Sequence, residues 1–254
     1  MSTLWLFIWY TFLLNLCGSF PYVEHFSIGA LADSGYEYLL KGYLLSGKSE
    51  TKLKDMCKRT LHSTPPPLNH ALTILSIDLA TVGGIIDNLL YLSPSRHLLY
   101  VTDIDNGHPS HTFEHLSCFL PGLFALGAIS LPLSPAEKQL HIWIASGLAQ
   151  TCWLTYMDQA TGLGPDEMSF DPSSTKWIHA YREWEKMADT GTSGLQRPDF
   201  PPGVGGEPMF ISDSAKRDYT NKRTEYLLRP EVCGFFILTI HLRLTRGYFT
   251  YDRL

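Results

Sequence analysis

No C-x-x-C pair, no N-x-S/T sequon and no lysine or arginine before Lys41 occur in this sequence. Each absence excludes something. The five cysteines, Cys17, Cys57, Cys118, Cys152 and Cys233, are scattered, which excludes a clustered zinc site and leaves room for an isolated disulfide in an oxidising compartment. Without a sequon the chain carries no N-glycan of its own. Charge is sparse: 18% of residues are charged, the net charge is −5, and the basic residues form no cluster. That excludes the cationic face on which nucleic-acid binding rests. The N-terminal apolar run, residues 4–14, is eleven residues long, against roughly 20 for a bilayer-spanning helix.

What is present describes a globular chain. It has 254 residues, enough for a large buried core, with 44% hydrophobic content. Aromatic residues, at 13%, suit a thick core and equally a surface on which sugars stack. The stretch "MSTLWLFIWYTFLLNLCGSF" has the length of a signal-peptide core followed by small residues, although its basic leader is missing. Residues 1–19 are therefore expected to be a signal peptide. A signal anchor, which would bring membrane association, and a buried helix are the alternatives.

Behind the leader, "ADSGYEYLLKGYLLSGK" predicts a helix, with Tyr36, Leu39, Leu40, Tyr43 and Leu44 on one face. Ser34 and Glu37 form a capping box and Gly47 a stop. A second helix is expected over residues 51–61, ended by Pro65, Pro66 and Pro67, making an αα-hairpin with the first. Two apolar runs flank Ser93-Pro94-Ser95-Arg96 and predict a short β-hairpin. An apolar helix follows near residues 121–128. The next begins at Ser134, with Pro135 in its first turn and Glu137 closing a capping box; its inner face is Leu140, Trp143, Ile144, Leu148, Thr151 and Cys152. Residues 187–210 read as a long surface loop, and a last apolar helix starts near Glu231. The architecture reads as mainly α, packed αα-hairpins with a small β-hairpin excursion.

Acidic groups gather at helix starts. Asp33 precedes a capping box, Glu114 and His115 precede the helix at 121–128, Asp166 and Glu167 follow a Gly-Leu-Gly-Pro turn, and Glu231 follows Arg229-Pro230. Taken singly, each is explained by the helix dipole, which favours carboxylates at helix N-termini. Gathered around one cavity, they could supply the acid and base of glycoside hydrolysis.

Four segments in order, "FSIGALADSGYEYLLKGYLLSGK", "HTFEHLSCFLPGLFALGA", "TGLGPDEMSF" and "YLLRPE", resemble the class I α-1,2-mannosidases, glycoside hydrolase family 47. "GGIIDNLLYLSPSRHLLYVTD" is similar to the fungal-type members. The resemblance implies a partial (α/α)7 barrel over residues 20–254 and an inverting hydrolysis of terminal α-1,2-linked mannose on high-mannose N-glycans in the endoplasmic reticulum or Golgi. It implies Glu231 as the base that activates water and Arg229 as the group that holds substrate and carboxylate. Asp33 becomes a second active-site acid, a third falls on Asp166 or Glu167, and His115 lines the mannose site. Asp33, His115, Arg229 and Glu231 are thus expected around one cavity. Cys118 and Cys152 match the family's disulfide. Leu31 stands where the endoplasmic-reticulum subtype has arginine, which points to a broader Golgi-like or fungal specificity.

The departures bear on activity. The family depends on calcium; its C-terminal hairpins, with the calcium-ligating threonine, are expected to have no counterpart after Leu254, and its N-terminal helices, with an additional catalytic glutamate, none before Phe26. "LHSTPPPLNHALTILSIDLAT" and "VCGFFILTIHLRLTRGY" also leave the family pattern. Impaired turnover is the expectation. A glycan-binding paralogue without catalysis and a fragment without function are the competing readings.

Overall fold

The computed structural model describes residues 25–29, 33–51, 84–189, 201–205, 211, 213, 217–222 and 226–227. Its centre is a helical hairpin. Helix α2 (Leu120–Ser130) and helix α3 (Pro135–Met157) are joined by a short connection and pack along their length. Helix α1 (Asp33–Leu45) lies against α2, and helix α4 (Trp177–Asp189) meets Trp143 of α3 edge to face through Tyr181 and Trp184.

The start of α3 follows from its first residues. Ser134 Oγ accepts the Glu137 N–H at 3.3 Å and Glu137 Oε2 accepts the Ser134 N–H at 2.7 Å, the reciprocal box expected from the sequence. Trp143, Ile144, Leu148, Thr151 and Cys152 are buried, as their spacing demands, while Leu140 is half-buried. Thr151 also donates its hydroxyl to the Leu99 carbonyl at 2.6 Å, fixing the helix to a strand.

In α1, Leu40 and Tyr43 are buried. The helix opens at Asp33, so Ser34 falls inside it rather than ahead of it, and Glu37 pairs with Lys41 one turn further on. At the other end Gly47, with φ 64°, turns the chain, and Lys48 N–H bonds the Tyr43 carbonyl at 3.0 Å. Lys48 Nζ then reaches the Ser130 carbonyl at 3.3 Å, so α1 and α2 finish at the same end.

Between the helices lie short strands: β1 (His25–Phe26), β2 (Leu90–Leu92), β3 (Leu99–Val101), β4 (Ile104–Asp105), β5 (His108–Pro109), β6 (Thr112–Glu114), β7 (Gly164–Pro165), β8 (Glu167–Phe170), β9 (Thr175–Lys176), β10 (Tyr219–Asn221) and β11 (Tyr226–Leu227). They form four small sheets in the orders β1-β4-β5, β10-β8-β6, β11-β7 and β3-β2-β9 among the described residues. The β2–β3 pair is the hairpin expected around Ser93-Pro94-Ser95-Arg96. The strand content is greater than that single excursion, because the loops between helices pair with one another rather than remaining irregular.

Two further expectations need correction. Residues 187–210 are not a loop throughout. Helix α4 runs to Asp189, and further on Pro201 and Pro202 are buried, the Pro202 carbonyl accepting Trp177 Nε1–H at 2.8 Å. Burying the Trp177 ring requires an acceptor for its N–H, and this segment supplies it. The helices expected over residues 51–61 and after Glu231, and the run at residues 4–14, lie outside the described residues. Among the described residues no helix is long and apolar enough to cross a membrane.

The hairpin turn is clamped by buried charge. Asp158, at the end of α3, accepts Arg96 Nη1–H at 2.6 Å, Tyr219 O–H at 2.9 Å and Ile211 N–H at 2.7 Å. Arg217 bonds the Asp158 carbonyl and, at 3.2 Å, Gln159 Oε1. Asp218 accepts Ser93 O–H and the N–H groups of Ser95 and Arg96. Burial pushes the Asp218 carboxyl up, but these donors outweigh it and hold it below the usual carboxylate range.

Candidate active site

The site is assembled by the antiparallel ladder of β6 and β8. Its register sets Thr112 opposite Ser169, Phe113 opposite Met168 and Glu114 opposite Glu167. Just past the ladder, His115 N–H donates to the Asp166 carbonyl at 2.8 Å. Two sequence motifs, Phe-Glu-His-Leu and Gly-Pro-Asp-Glu, are thereby joined backbone to backbone. On the outer edge Lys222 stands 3.6 Å from Glu167 Oε2 and donates to Thr112 Oγ1 at 3.2 Å.

His115 opens a 3-10 turn (His115–Phe119) that leads into α2, and its ring is fully buried. Tyr156 of α3 meets it edge to face, with centroids 4.9 Å apart and planes at 86°. Gly164 closes the other side. A Cβ there would stand 3.0 Å from Tyr156 Cζ and 3.2 Å from His115 Cδ2, so a side chain at this turn would require the two rings to shift by a few tenths of an ångström. Beneath them Cys118 and Cys152 are joined, with an S–S distance of 2.12 Å and Cα atoms 6.0 Å apart, tying the start of α2 to α3.

The first motif reaches the same place. Gly29 is buried against Glu114: a Cβ at position 29 would overlap Glu114 Oε2 and lie 2.8 Å from Cδ. Since 29 precedes α1 and 114 precedes α2, and the two helices finish together at Lys48 and Ser130, they also begin together. Asp33 is the first residue of α1.

The last motif approaches along β11. Tyr226 pairs with Pro165 and Leu227 with Gly164, bringing the chain to the turn ahead of Asp166. Arg229 and Glu231, like Leu31, lie outside the described residues. Asp166 and Glu167 do not precede a helix: Asp166 is a bend between β7 and β8, and Glu167 begins β8. Among the described residues no three His, Cys, Asp or Glu side chains are grouped to hold a metal ion.

Next to the ladder His111 adopts φ 53°, and its Nδ1 is 2.8 Å from Tyr100 Oη. Burial lowers the His111 pKa, with Asp171 opposing, and burial raises that of Tyr100. Tyr100 stacks on Phe170 of β8 at 3.9 Å, and Phe113 of β6 meets Phe170 edge to face.

Gly29, Glu114, Gly164, Tyr156, Thr112 and Lys222 complete this arrangement. Sequence reasoning noted Glu114 only as a helix-start acid and gave the others no part. The glycines inside the quoted motifs were the available signal.

The chain is thus a helical frame whose interhelical loops pair into small sheets, with Asp33 at the start of α1 and a buried histidine at the turn into α2. The profile described as Glycosyl hydrolase family 47 matches residues 12–239, and the chain belongs to that family. It is 33% identical over 245 residues to the Caenorhabditis elegans mannosyl-oligosaccharide 1,2-alpha-mannosidase mans-2, covering 81% of this chain and 38% of the worm protein. The human endoplasmic reticulum mannosyl-oligosaccharide 1,2-alpha-mannosidase is 33% identical over 155 residues, 61% of this chain and 18% of the human protein. Among solved structures, the alpha-1,2-mannosidase from Trichoderma reesei matches with a TM-score of 0.50 at 24% identity, covering 84% of this chain and 33% of that one. The chain thus spans well under half the length of these relatives.

Proposed function

We propose that this chain carries part of an inverting α-1,2-mannosidase site, acting on terminal α-1,2-linked mannose of high-mannose N-glycans. One observation supports this above the others: the ladder of β6 and β8, with Gly29 against Glu114 and β11 on β7, gathers the motifs at the common start of α1 and α2. The fold reading that accompanies it is a portion of an (α/α)7 barrel.

In the proposed chemistry Glu231 is the base that activates water, and Arg229 orients it and the sugar. Asp33 and either Asp166 or Glu167 supply the further active-site acids. His115 walls the mannose site, and Leu31 in place of arginine broadens its specificity. Inversion requires water between base and anomeric carbon, with carboxylates about 6.5–9.5 Å apart. Acids drawn from separate segments can meet that separation. Neighbours on one helix face, with Cβ atoms about 5–6 Å apart, sit too close. Calcium is the family's cofactor, and no step here is routed through it. The buried Cys118–Cys152 bond supports folding in an oxidising compartment, the endoplasmic reticulum, the Golgi or the secreted space.

The test is mannose release from α-1,2-mannobiose by monodisperse protein with added calcium. The expected result is slow release, abolished by Glu231→Gln. The family's additional catalytic glutamate was not located in the 254 residues, and loss of one general acid or base removes a factor of about 10²–10⁴. The absence of both release and binding of mannobiose would overturn the proposal. Binding without release would favour the glycan-binding reading.

A further inference from the structure

We infer that Glu114 is a positioning residue of this site: its carboxylate, seated on the backbone of Gly29, holds the segment that runs into Asp33 against the strand that runs into His115. The inference rests on the mannosidase reading and adds to it a residue that touches no substrate.

Three observations carry it. The first is steric. Gly29 is buried and a Cβ there would overlap Glu114 Oε2, lie 2.8 Å from Cδ and 3.2 Å from Cβ, so the Glu114 side chain occupies the space that a side chain at residue 29 would need. The backbone at Gly29 is not in the left-handed region, so close approach rather than conformational freedom is what glycine supplies. The second is electrostatic. Glu114 faces Glu167 across the ladder, and like charges directly opposite repel. Lys222 lies beside Glu167 and offsets part of that repulsion, while drawing the Glu167 carboxylate to its own side of the ladder and away from Glu114. The third is local order around the contact. Ile28 is buried, and Gly29 N–H bonds Ser27 Oγ at 2.9 Å, so residues 27–29 form a firm unit on which pressure from Glu114 is transmitted.

Position 29 stands four residues before Asp33, and Glu114 immediately precedes His115. A displacement at the contact therefore moves the start of α1 relative to the 3-10 turn, and a misplacement of about 1 Å in such a constellation costs about 10²-fold.

The experiment is a double-mutant cycle on the full chain, with Gly29→Ala, Glu114→Ala and the pair, read as α-1,2-mannobiose affinity and as thermal midpoint. Gly29→Ala is expected to weaken binding at least tenfold in the parent but less than threefold beside Glu114→Ala, because removing the carboxylate makes room for the new methyl. The thermal midpoint should be non-additive too, since the same overlap is relieved; coupling in affinity is what a merely structural contact would not produce. Glu114→Gln, which keeps the shape, should restore most of the affinity lost in Glu114→Ala. Additive losses, or no rescue by Gln, overturn the inference. If the parent binds no mannobiose, the mannosidase reading fails and the same cycle is read on hydrogen exchange of residues 27–40. There non-additivity upholds the positioning role and additivity overturns it.

Discussion

His115 and Asp166 are joined by one backbone hydrogen bond, His115 N–H to the Asp166 carbonyl at 2.8 Å. It uses neither side chain. Asp166 and Glu167 can therefore be altered chemically without dismantling the ladder that presents them.

Asp166→Asn and Glu167→Gln should accordingly leave stability within about 0.5 kcal/mol of the parent, the range for substitutions outside the core. Glu167→Gln removes a like-charge pair with Glu114 and a half-exposed ion pair with Lys222, two small effects of opposite sign. Whichever of the two supplies the acid should lose mannobiose turnover by about 10²–10⁴ when changed. Urea denaturation beside turnover separates the two readings. A loss of several kcal/mol would show that the carboxylates hold the fold instead.

Cys118 and Cys152 close a loop with a sequence separation of 34 between two packed helices. The chain-entropy relation gives about 3–4 kcal/mol for such a loop. The Cys118→Ala/Cys152→Ala variant should lose that much in guanidinium denaturation. Equal stability of variant and parent would contradict it.

His111 predicts a pH dependence. Its pKa lies below the ordinary histidine value because burial disfavours the imidazolium, a shift that Asp171 reduces. The groups that face it are Tyr91, edge-on at 5.3 Å, Tyr100 through the 2.8 Å hydrogen bond, and Asp171. With the folded pKa depressed, the unfolded chain takes up a proton first as pH falls. The contribution is complete above the unfolded pKa of about 6.5 and is lost progressively as pH falls from there to the folded value. His111→Asn should flatten the slope between pH 7 and 5, since asparagine tolerates the φ of 53° at this position. An unchanged slope of Tm with pH in the variant would assign the effect elsewhere.

Asp158 is the most consequential buried acid. Its carboxylate accepts from Arg96, Tyr219 and the Ile211 amide, so Asp158→Ala would leave the buried Arg96 guanidinium without that partner. Breaking a buried pair from one side costs about 3–5 kcal/mol. A loss below about 1 kcal/mol by urea denaturation would mean that water enters and replaces the carboxylate.

The parts readable in the sequence were those with local causes. Helix α3 follows from Ser134, Pro135 and Glu137 together with a long period of buried residues. The β2–β3 hairpin follows from Ser93-Pro94-Ser95-Arg96 between two apolar runs. The ladder of β6 and β8 has no such local cause. Thr112-Phe113-Glu114 and Glu167-Met168-Ser169-Phe170 are too short for their alternation to stand out, and each is a strand only because the other is there. Asp166 and Glu167 were read as leading into a helix for the same reason. In α4, Trp177, Ile178, Tyr181 and Trp184 do carry a helical period, which the sequence reading passed over, and its last turn fell inside the loop drawn from residue 187. At the site, the motifs named the polar groups. The glycines that let them approach one another became meaningful only with the distances at Gly29 and Gly164.

The strand order β10-β8-β6 has a consequence for the chain as it is made. Helices α2 and α3 and their disulfide can form from neighbouring residues soon after synthesis. Tyr219, whose ring lies 5.3 Å from that of Phe170, emerges much later. Until it arrives, the edge of β8 is unpaired and an aromatic face beside the ladder of β6 and β8 stands open to solvent. A nascent chain in that state offers a chaperone both an unpaired strand and an exposed ring surface.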